Sequence, residues 1–411
     1  MNTAIHSSAV TRLLPVLCLF LGTQMLAAET TDSWRIGAPI VTYWAGPAMT
    51  DAAAQQMAEG GFNLVWCNEK ELDVAQRHGL RGQLTDGLLS PASLDDPQRL
   101  EQLDALIARV RKHPALYAYH LVDEPSAAKF PSLGKLVAYL HDRDPQHLAY
   151  INLFPTYANN EQLGTKGDVV TAYREHLRLY VEQVKPSLIS YDHYQFGLKG
   201  DSQQYFLNLA MIRRAAQEAG VPFLNIVQAC TWAPDAMRIP NPDELRYLVY
   251  TTAAYGAQGI SYYVYAHPNH YGSLVNLDGV PGPLYHAVKS YNREFAAIAK
   301  ELQPLRSLVM CHTAMQEAGC ERPPTDMRVR LAAPASVSPR GFLLGYFGAA
   351  EKPVHVVVVN LDYAAEARTS VVGPGKLECF DATTAQWAGA KDAPVELVLP
   401  PGGGVLVREA R

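Results

Sequence analysis

From residue 36 to about residue 300 the chain repeats one pattern eight times. A short apolar run rich in β-branched and aromatic residues is followed by a stretch with the spacing of an amphipathic helix. The runs are IGAPIVTYW, FNLVWC, LRGQLTD, LYAYHLVDEP, LAYINLFP, SLISYDHY, PFLNIVQAC and GISYYVYAHP. Between them lie stretches such as DPQRLEQLDALIARVRKHP and QQYFLNLAMIRRAAQEAG, several closed by Gly60-Gly61, Gly79, Pro114, Pro186 or Gly220. Glycine reaches the left-handed cap and proline cannot extend a helix. Apolar strands alternating with helices call for a parallel sheet covered by helices. Eight such units predict a closed (β/α)8 TIM barrel over residues 34–303. A doubly wound open sheet ranks below it, because no Gly-rich phosphate loop follows the first strand.

After residue 304 the pattern changes. GFLLGYFG, PVHVVVVNLD, GKLECFD, VELVLP and GGVLVREA are separated by Gly, Pro and Asp turns, with no long helix between them. A small antiparallel β-sandwich-like domain is therefore expected over residues 304–411. At the other end, Arg12 precedes LLPVLCLFLG and is followed by Ala27-Ala28. That is the pattern of an export signal over residues 1–28, too short in its apolar part to span a bilayer. The expectation is a secreted or periplasmic protein without a membrane span. Five cysteines remain past that signal. Cys311 and Cys320 are candidates for a disulfide in an oxidising compartment, while Cys67 and Cys230 read as buried thiols.

A formal net charge of −5 and a pI near 6.2 leave no electrostatic footprint for nucleic acid or anionic lipid. A neutral or mildly polar ligand suits this balance. Ligand chemistry in (β/α)8 barrels collects at the carboxyl ends of the strands. The residues closing each run are Tyr43 and Trp44, Asn68 and Glu69, Asp86, Asp123 and Glu124, and Asn152. They continue with Asp192, His193 and Tyr194, then Gln228 and Trp232, then Tyr265, His267 and His270. Flat rings stack on sugar faces, and carboxylates and amides bind hydroxyls. His193, His267 and His270 lack a tight ligand motif beside Asp192, so neither a metal nor another cofactor is expected.

Within this mouth the pair Asp123-Glu124 carries the chemistry. Burial and mutual repulsion raise the pKa of one member and keep it an acid near neutral pH. Glu124 is the candidate proton donor and Asp123 its partner. The competing account makes Asp123 a helix cap and pairs Glu124 with an arginine.

On HLVDEP the chain resembles the (β/α)8-barrel glycoside hydrolases, whose retaining members carry an Asn-Glu-Pro type motif at the end of the fourth strand. The resemblance covers residues 34–303 by architecture and this one motif. It implies that Glu124 is acid/base and that Asp123 stands in the Asn place. It also implies a nucleophilic Glu at the seventh strand, where LNIVQACTW has Gln228 instead. Two routes stay open. The Asp123-Glu124 pair is similar to that of substrate-assisted N-acetylhexosaminidases, with Tyr191 or Tyr194 holding the acetamide oxygen. Alternatively Asp192, with Asp86 and Glu69 behind it, activates water for inversion, which needs carboxyls about 6.5–9.5 Å apart. The function expected is an exported glycoside hydrolase acting on an oligo- or polysaccharide. A polysaccharide lyase with Tyr194 or His193 as base, and a non-catalytic carbohydrate-binding barrel, are the alternatives.

Overall fold

The computed structural model describes Met1 and residues 37–332, 339–349, 352 and 354–410; apart from Met1, the predicted export signal lies outside the described residues. Each apolar run holds one strand. They are β1 (Ile40–Trp44), β2 (Leu64–Cys67), β3 (Arg81–Leu84), β4 (Leu116–Asp123), β5 (Leu148–Leu153), β6 (Ile189–His193), β7 (Phe223–Gln228) and β8 (Gly259–Tyr263). They pair in the order β1-β8-β7-β6-β5-β4-β3-β2, every ladder parallel. The cylinder closes between β1 and β2, where the Asn63 amide donates to the Val41 carbonyl (3.0 Å) and the Trp66 indole donates to the Tyr43 carbonyl (2.8 Å).

Helices α1 (Asp51–Glu59), α2 (Leu72–Arg77), α3 (Pro97–Val110), α4 (Phe130–Arg143), α5 (Val169–Val184), α6 (Tyr205–Ala219), α7 (Pro242–Ala254) and α8 (Pro283–Leu302) form the outer layer. Their starts are set locally. Thr50, Asp96, Asp168 and Asn241 each accept from a first-turn N–H, and Pro97, Pro242 and Pro283 occupy first-turn positions. Strand side chains alternate between two cores. Ile40, Leu64, Ala118, Leu148, Leu224 and Ile226 fill the barrel interior, while Val41, Val65, Tyr119, Ile151 and Val227 pack outward against the helices.

Beyond α8 the chain becomes antiparallel. Strands β9 (Arg306–His312), β10 (Phe342–Gly348), β11 (His355–Asn360), β13 (Lys376–Asp381) and β15 (Gly404–Glu409) share one sheet; β12 (Ala367–Val372) and β14 (Val395–Leu399) belong to a second. Val356 and Val358 of β11 face the sandwich interior, whereas Val357 and Val359 join the core of the barrel. That double burial explains the unbroken valines of HVVVVN. Contact with α7 is close: a Cβ on Gly345 of β10 would run into the Ala254 carbonyl oxygen.

The disulfide expected between Cys311 and Cys320 is not present, and both thiols are free. Cys311 points into the sandwich core with its Sγ 3.7 Å from the Leu344 carbonyl, while Cys320 packs against the barrel-side core. The two residues thus serve different cores. Cys67 and Cys230 are buried free thiols. Among the described residues no helix is long and apolar enough to cross a membrane.

Candidate active site

At the carboxyl end of the strands a cup of about 410 Å³ opens between the barrel and its loops. Its acidic wall depends on one irregularity in β4. The β4–β5 register pairs His120 with Tyr150, then slips so that Val122 meets Ile151 and Asp123 meets Asn152. Without the slip, strict alternation would turn Asp123 toward the helices, because His120 faces the barrel interior. Glu124 follows with φ +44°, a left-handed conformation rare for a side chain of its size. Pro125 disfavours the right-handed helical region for it, and its own N–H is anchored on the Asn152 carbonyl (2.9 Å). Such strain costs on the order of 1–2 kcal/mol and aims the carboxyl into the cup.

Asp192, at the end of β6, is 3% exposed and meets this pair. Its Oδ1 accepts from Asn152 Nδ2 (2.9 Å), and Asp123 Oδ1 accepts from the same nitrogen (3.0 Å). The Glu124 carboxyl interacts directly with that of Asp192, and the two influence each other's ionisation. Burial, then the charges of Asp192 and Asp123, push Glu124 well above the usual carboxylate range. Burial also raises Asp192, against the lowering effect of the Asn152 amide. Asp123 opens onto the cup while protein encloses its remaining sides, and that restricted hydration raises it too. Burial and mutual charge thus raise both Glu124 and Asp192, which favours a proton held on this pair. Neither competing role applies, since α4 starts without a side-chain cap and Glu124 pairs with a carboxyl instead of an arginine.

Two groups of rings frame the acids. Trp44 lies edge-on to Trp66 (5.0 Å) and to His120 (5.5 Å), and burial drops the His120 pKa to about 4, leaving a neutral ring under the cup. Opposite, Tyr194, Trp232 and Tyr263 form a triangle with centroids 4.6, 4.8 and 5.0 Å apart. Tyr157, 45% exposed, flanks the opening. Among the described residues no lysine, arginine or histidine lines the cup.

Seven of the residues expected from the sequence meet here: Trp44, Asp123, Glu124, Asn152, Asp192, Tyr194 and Trp232. The others stand elsewhere. Tyr43, Tyr191 and Tyr265 lie on the outward side, each no more than 1% exposed and packed in the core between strands and helices. Tyr265 donates to Gln56 Oε1 on α1 (2.6 Å). Glu69 is held by Arg109 at 2.6 and 2.9 Å, and Asp86 accepts from the Leu88 N–H within a turn. His193 is fully buried between Asn208 and Ser202, and His267 sits in an exposed loop against Pro268 and His270. Asn68 caps the short turn that follows β2.

Gln228 is the most informative departure. Its Oε1 accepts from the Phe196 N–H (2.7 Å), while its Nε2 donates to the carbonyls of Phe196 (3.2 Å) and Arg238 (2.8 Å). The amide ties the loop after β6 to the loop after β7, and no polar atom is left for chemistry. A carboxylate in this seat would face two carbonyl oxygens. Gln228→Glu is therefore expected to destabilise the fold by about 3–5 kcal/mol, read as a lowered denaturant midpoint, without creating a nucleophile.

Tyr157, Tyr263 and Met237 were not singled out from the sequence. Alternation would have found Tyr263, since Gly259, Ser261 and Tyr263 share the inward side and Tyr263 pairs with Trp44. Tyr157 and Met237 come from loops, for which strand periodicity offers no signal.

Among the described residues no group of three or more His, Cys, Asp or Glu has metal-holding geometry. Fold and site together define a (β/α)8 barrel with a ring-framed acidic cup in the position where such barrels perform chemistry. No family model matches the chain, and no curated protein does either. Solved structures do resemble it. A β-L-arabinopyranosidase from Geobacillus stearothermophilus is 10% identical, with 90% of this chain and 95% of that chain covered at a TM-score of 0.49. A β-galactosidase from Halorubrum lacusprofundi is 11% identical, covering 90% and 99% at 0.48. A mannosidase from Rhizomucor miehei is 12% identical, covering 66% and 98% at 0.43. The barrel itself is defined by its eight strands and the seven parallel ladders that join them.

Proposed function

We propose that this chain is a glycoside hydrolase acting on an oligo- or polysaccharide, with Glu124 as the general acid. The observation that carries the reading is a left-handed Glu124 set beside Asp123 and Asp192 in a cup framed by aromatic rings, where burial and their charges raise it. With the export pattern over residues 1–28, the substrate is met outside the cytoplasm. Three acids without a cation in the lining disfavour a uronate, whose carboxylate would need neutralising. That argues against a lyase.

Two features favour the substrate-assisted route over the others. The seventh-strand position holds Gln228, turned into loop contacts. Asp123 and Glu124 both line the cup as an adjacent pair, the arrangement that the substrate-assisted route uses. In this route Glu124 protonates the leaving oxygen, and Asp123 or Asp192 orients a 2-acetamido group that attacks the anomeric carbon. The acetamide replaces the missing protein nucleophile.

A panel of chromogenic glycosides, N-acetylhexosaminides included, tests this with the product anomer followed by NMR. Cleavage confined to 2-acetamido sugars with retained configuration is expected. Saturable calorimetric binding without release of reducing ends would instead make the barrel a sugar-binding protein, and unsaturated products absorbing in the ultraviolet would make it a lyase.

A further inference from the structure

We infer that Tyr150, Ser190 and Asn152 form a positioning relay that assigns the proton of the acidic cup to Glu124. The chain of hydrogen bonds has one consistent direction. Asn152 Oδ1 can only accept, and Ser190 Oγ donates to it (3.1 Å). The single Ser190 hydrogen is thereby committed, so Tyr150 OH must be the donor to Ser190 Oγ (2.7 Å). With Oδ1 so engaged, the Asn152 amide cannot flip. Both of its N–H bonds then point at carboxylates, one at Asp123 and one at Asp192. All three relay residues are buried, at 2% exposure or less, so no other orientation is offered by water.

The consequence is selective. Charge-assisted hydrogen bonds from Asn152 favour the ionised forms of Asp123 and Asp192, against the burial that raises both. Glu124 receives nothing from this amide, and its carboxyl becomes the donor toward Asp192. The fork of one amide therefore decides which of three neighbouring carboxyls keeps the proton. Asn152 is thus a positioning residue, and its N–H groups are not available to a sugar hydroxyl.

The other groups facing the acids do not make this choice. Tyr157, Tyr173, Tyr194 and Tyr263 are all raised by burial and remain neutral phenols. His120, beneath the cup, is held neutral as well. Among the described residues no cation lines the cup. The relay's catalytic meaning rests on the hydrolase reading, whereas the location of the proton can be read without any substrate.

The test is a ¹³C NMR titration of side-chain carboxyls in the full-length protein and its variants. In the unaltered protein the most alkaline carboxyl transition should vanish in Glu124→Gln, with Asp123 and Asp192 ionised below it. Ser190→Ala and Tyr150→Phe should shift the residence of the proton from Glu124 toward Asp192 by about tenfold, the equivalent of one pH unit. Asn152→Ala should do so further, and Ser190→Thr should restore the original distribution. Should Ser190→Ala fail to fold, Tyr150→Phe, which keeps the ring, decides the matter. An unchanged distribution in Tyr150→Phe and in every folded relay variant overturns the relay. Where glycoside cleavage is found, both limbs of its pH profile should move in Ser190→Ala and return in Ser190→Thr. If no glycoside is cleaved, the hydrolase reading fails while the titration still judges the relay.

Discussion

Glu124→Gln should lower glycoside turnover by about 10²–10⁴-fold and at the same time make the protein more stable. Activity is lost because an amide cannot deliver a proton to a leaving oxygen. Stability rises because Gln keeps the shape and can still donate to Asp192, yet carries no charge that must be suppressed. In the folded protein burial, Asp192 and Asp123 raise Glu124 above its unfolded value. A carboxyl raised in this way costs nothing below its unfolded pKa near 4.5, and the cost accumulates as pH rises from there toward the folded value. The gain in Glu124→Gln should therefore be negligible near pH 4 and largest at neutral to alkaline pH, about 2–4 °C in Tm there. The left-handed backbone at position 124 persists in the variant, so relief of strain makes no contribution. Thermal unfolding at pH 4 and pH 8, beside a turnover assay, checks both halves. A variant that keeps its turnover, or melts lower at pH 8, removes Glu124 from the acid role.

Acidification should unfold the protein steeply between pH 6.5 and pH 4. Three histidines, His176, His193 and His312, are buried and a fourth, His120, is partly so, and burial lowers each from 6.5 to about 4. Their folded values are depressed, so the unfolded chain takes up protons that the folded chain refuses. Stability is thus complete above pH 6.5 and declines as pH falls, by on the order of 3 kcal/mol per ring at pH 4. The packing explains why these rings resist charging. His176 leans on Phe130 (4.9 Å) and stacks on Tyr173 (6.2 Å), and its Nε2 has no partner among the described residues. His312 lies 4.4 Å from Phe206 and bonds Tyr255 (3.1 Å), with Nδ1 likewise unpartnered. The raised acids of the cup act in the opposite sense but are fewer. Circular dichroism melts from pH 7 to pH 4 should show a steep fall, and His176→Phe should flatten it. Equal melting temperatures at pH 7 and pH 4.5 would exclude this account.

The same physics accounts for which parts of the site could be read from the chain. Asp123, Glu124, Asn152 and Asp192 were legible because a polar residue ending an apolar run is anomalous wherever it falls. Tyr43, Tyr191 and Tyr265 misled because an aromatic at a strand end looks alike whether it faces the cup or the helices. Strand alternation alone separates the two sides, and one slip in register inverts it, as β4 shows between His120 and Val122. Glu69 and Asp86 were displaced for another reason. They lie past the ends of their strands, where Arg109 and a turn N–H take up the carboxylates. Gln228 and His193 were placed at the right strands, but Gln228 serves the loops around the cup and His193 bonds Asn208 of α6 and Ser202.

What the chain determined unaided is the succession of eight strands and eight helices, and with it the rim on which the acids gather. Caps, prolines and apolar spacing act over a few residues and need no distant partner. Only the tertiary structure decided which hydrogen bonds and how much burial each acid receives. That choice depends on Asn152, Ser190 and Tyr150, brought from neighbouring strands into hydrogen-bond range of a carboxyl pair, and on a burial that no local stretch of sequence can impose.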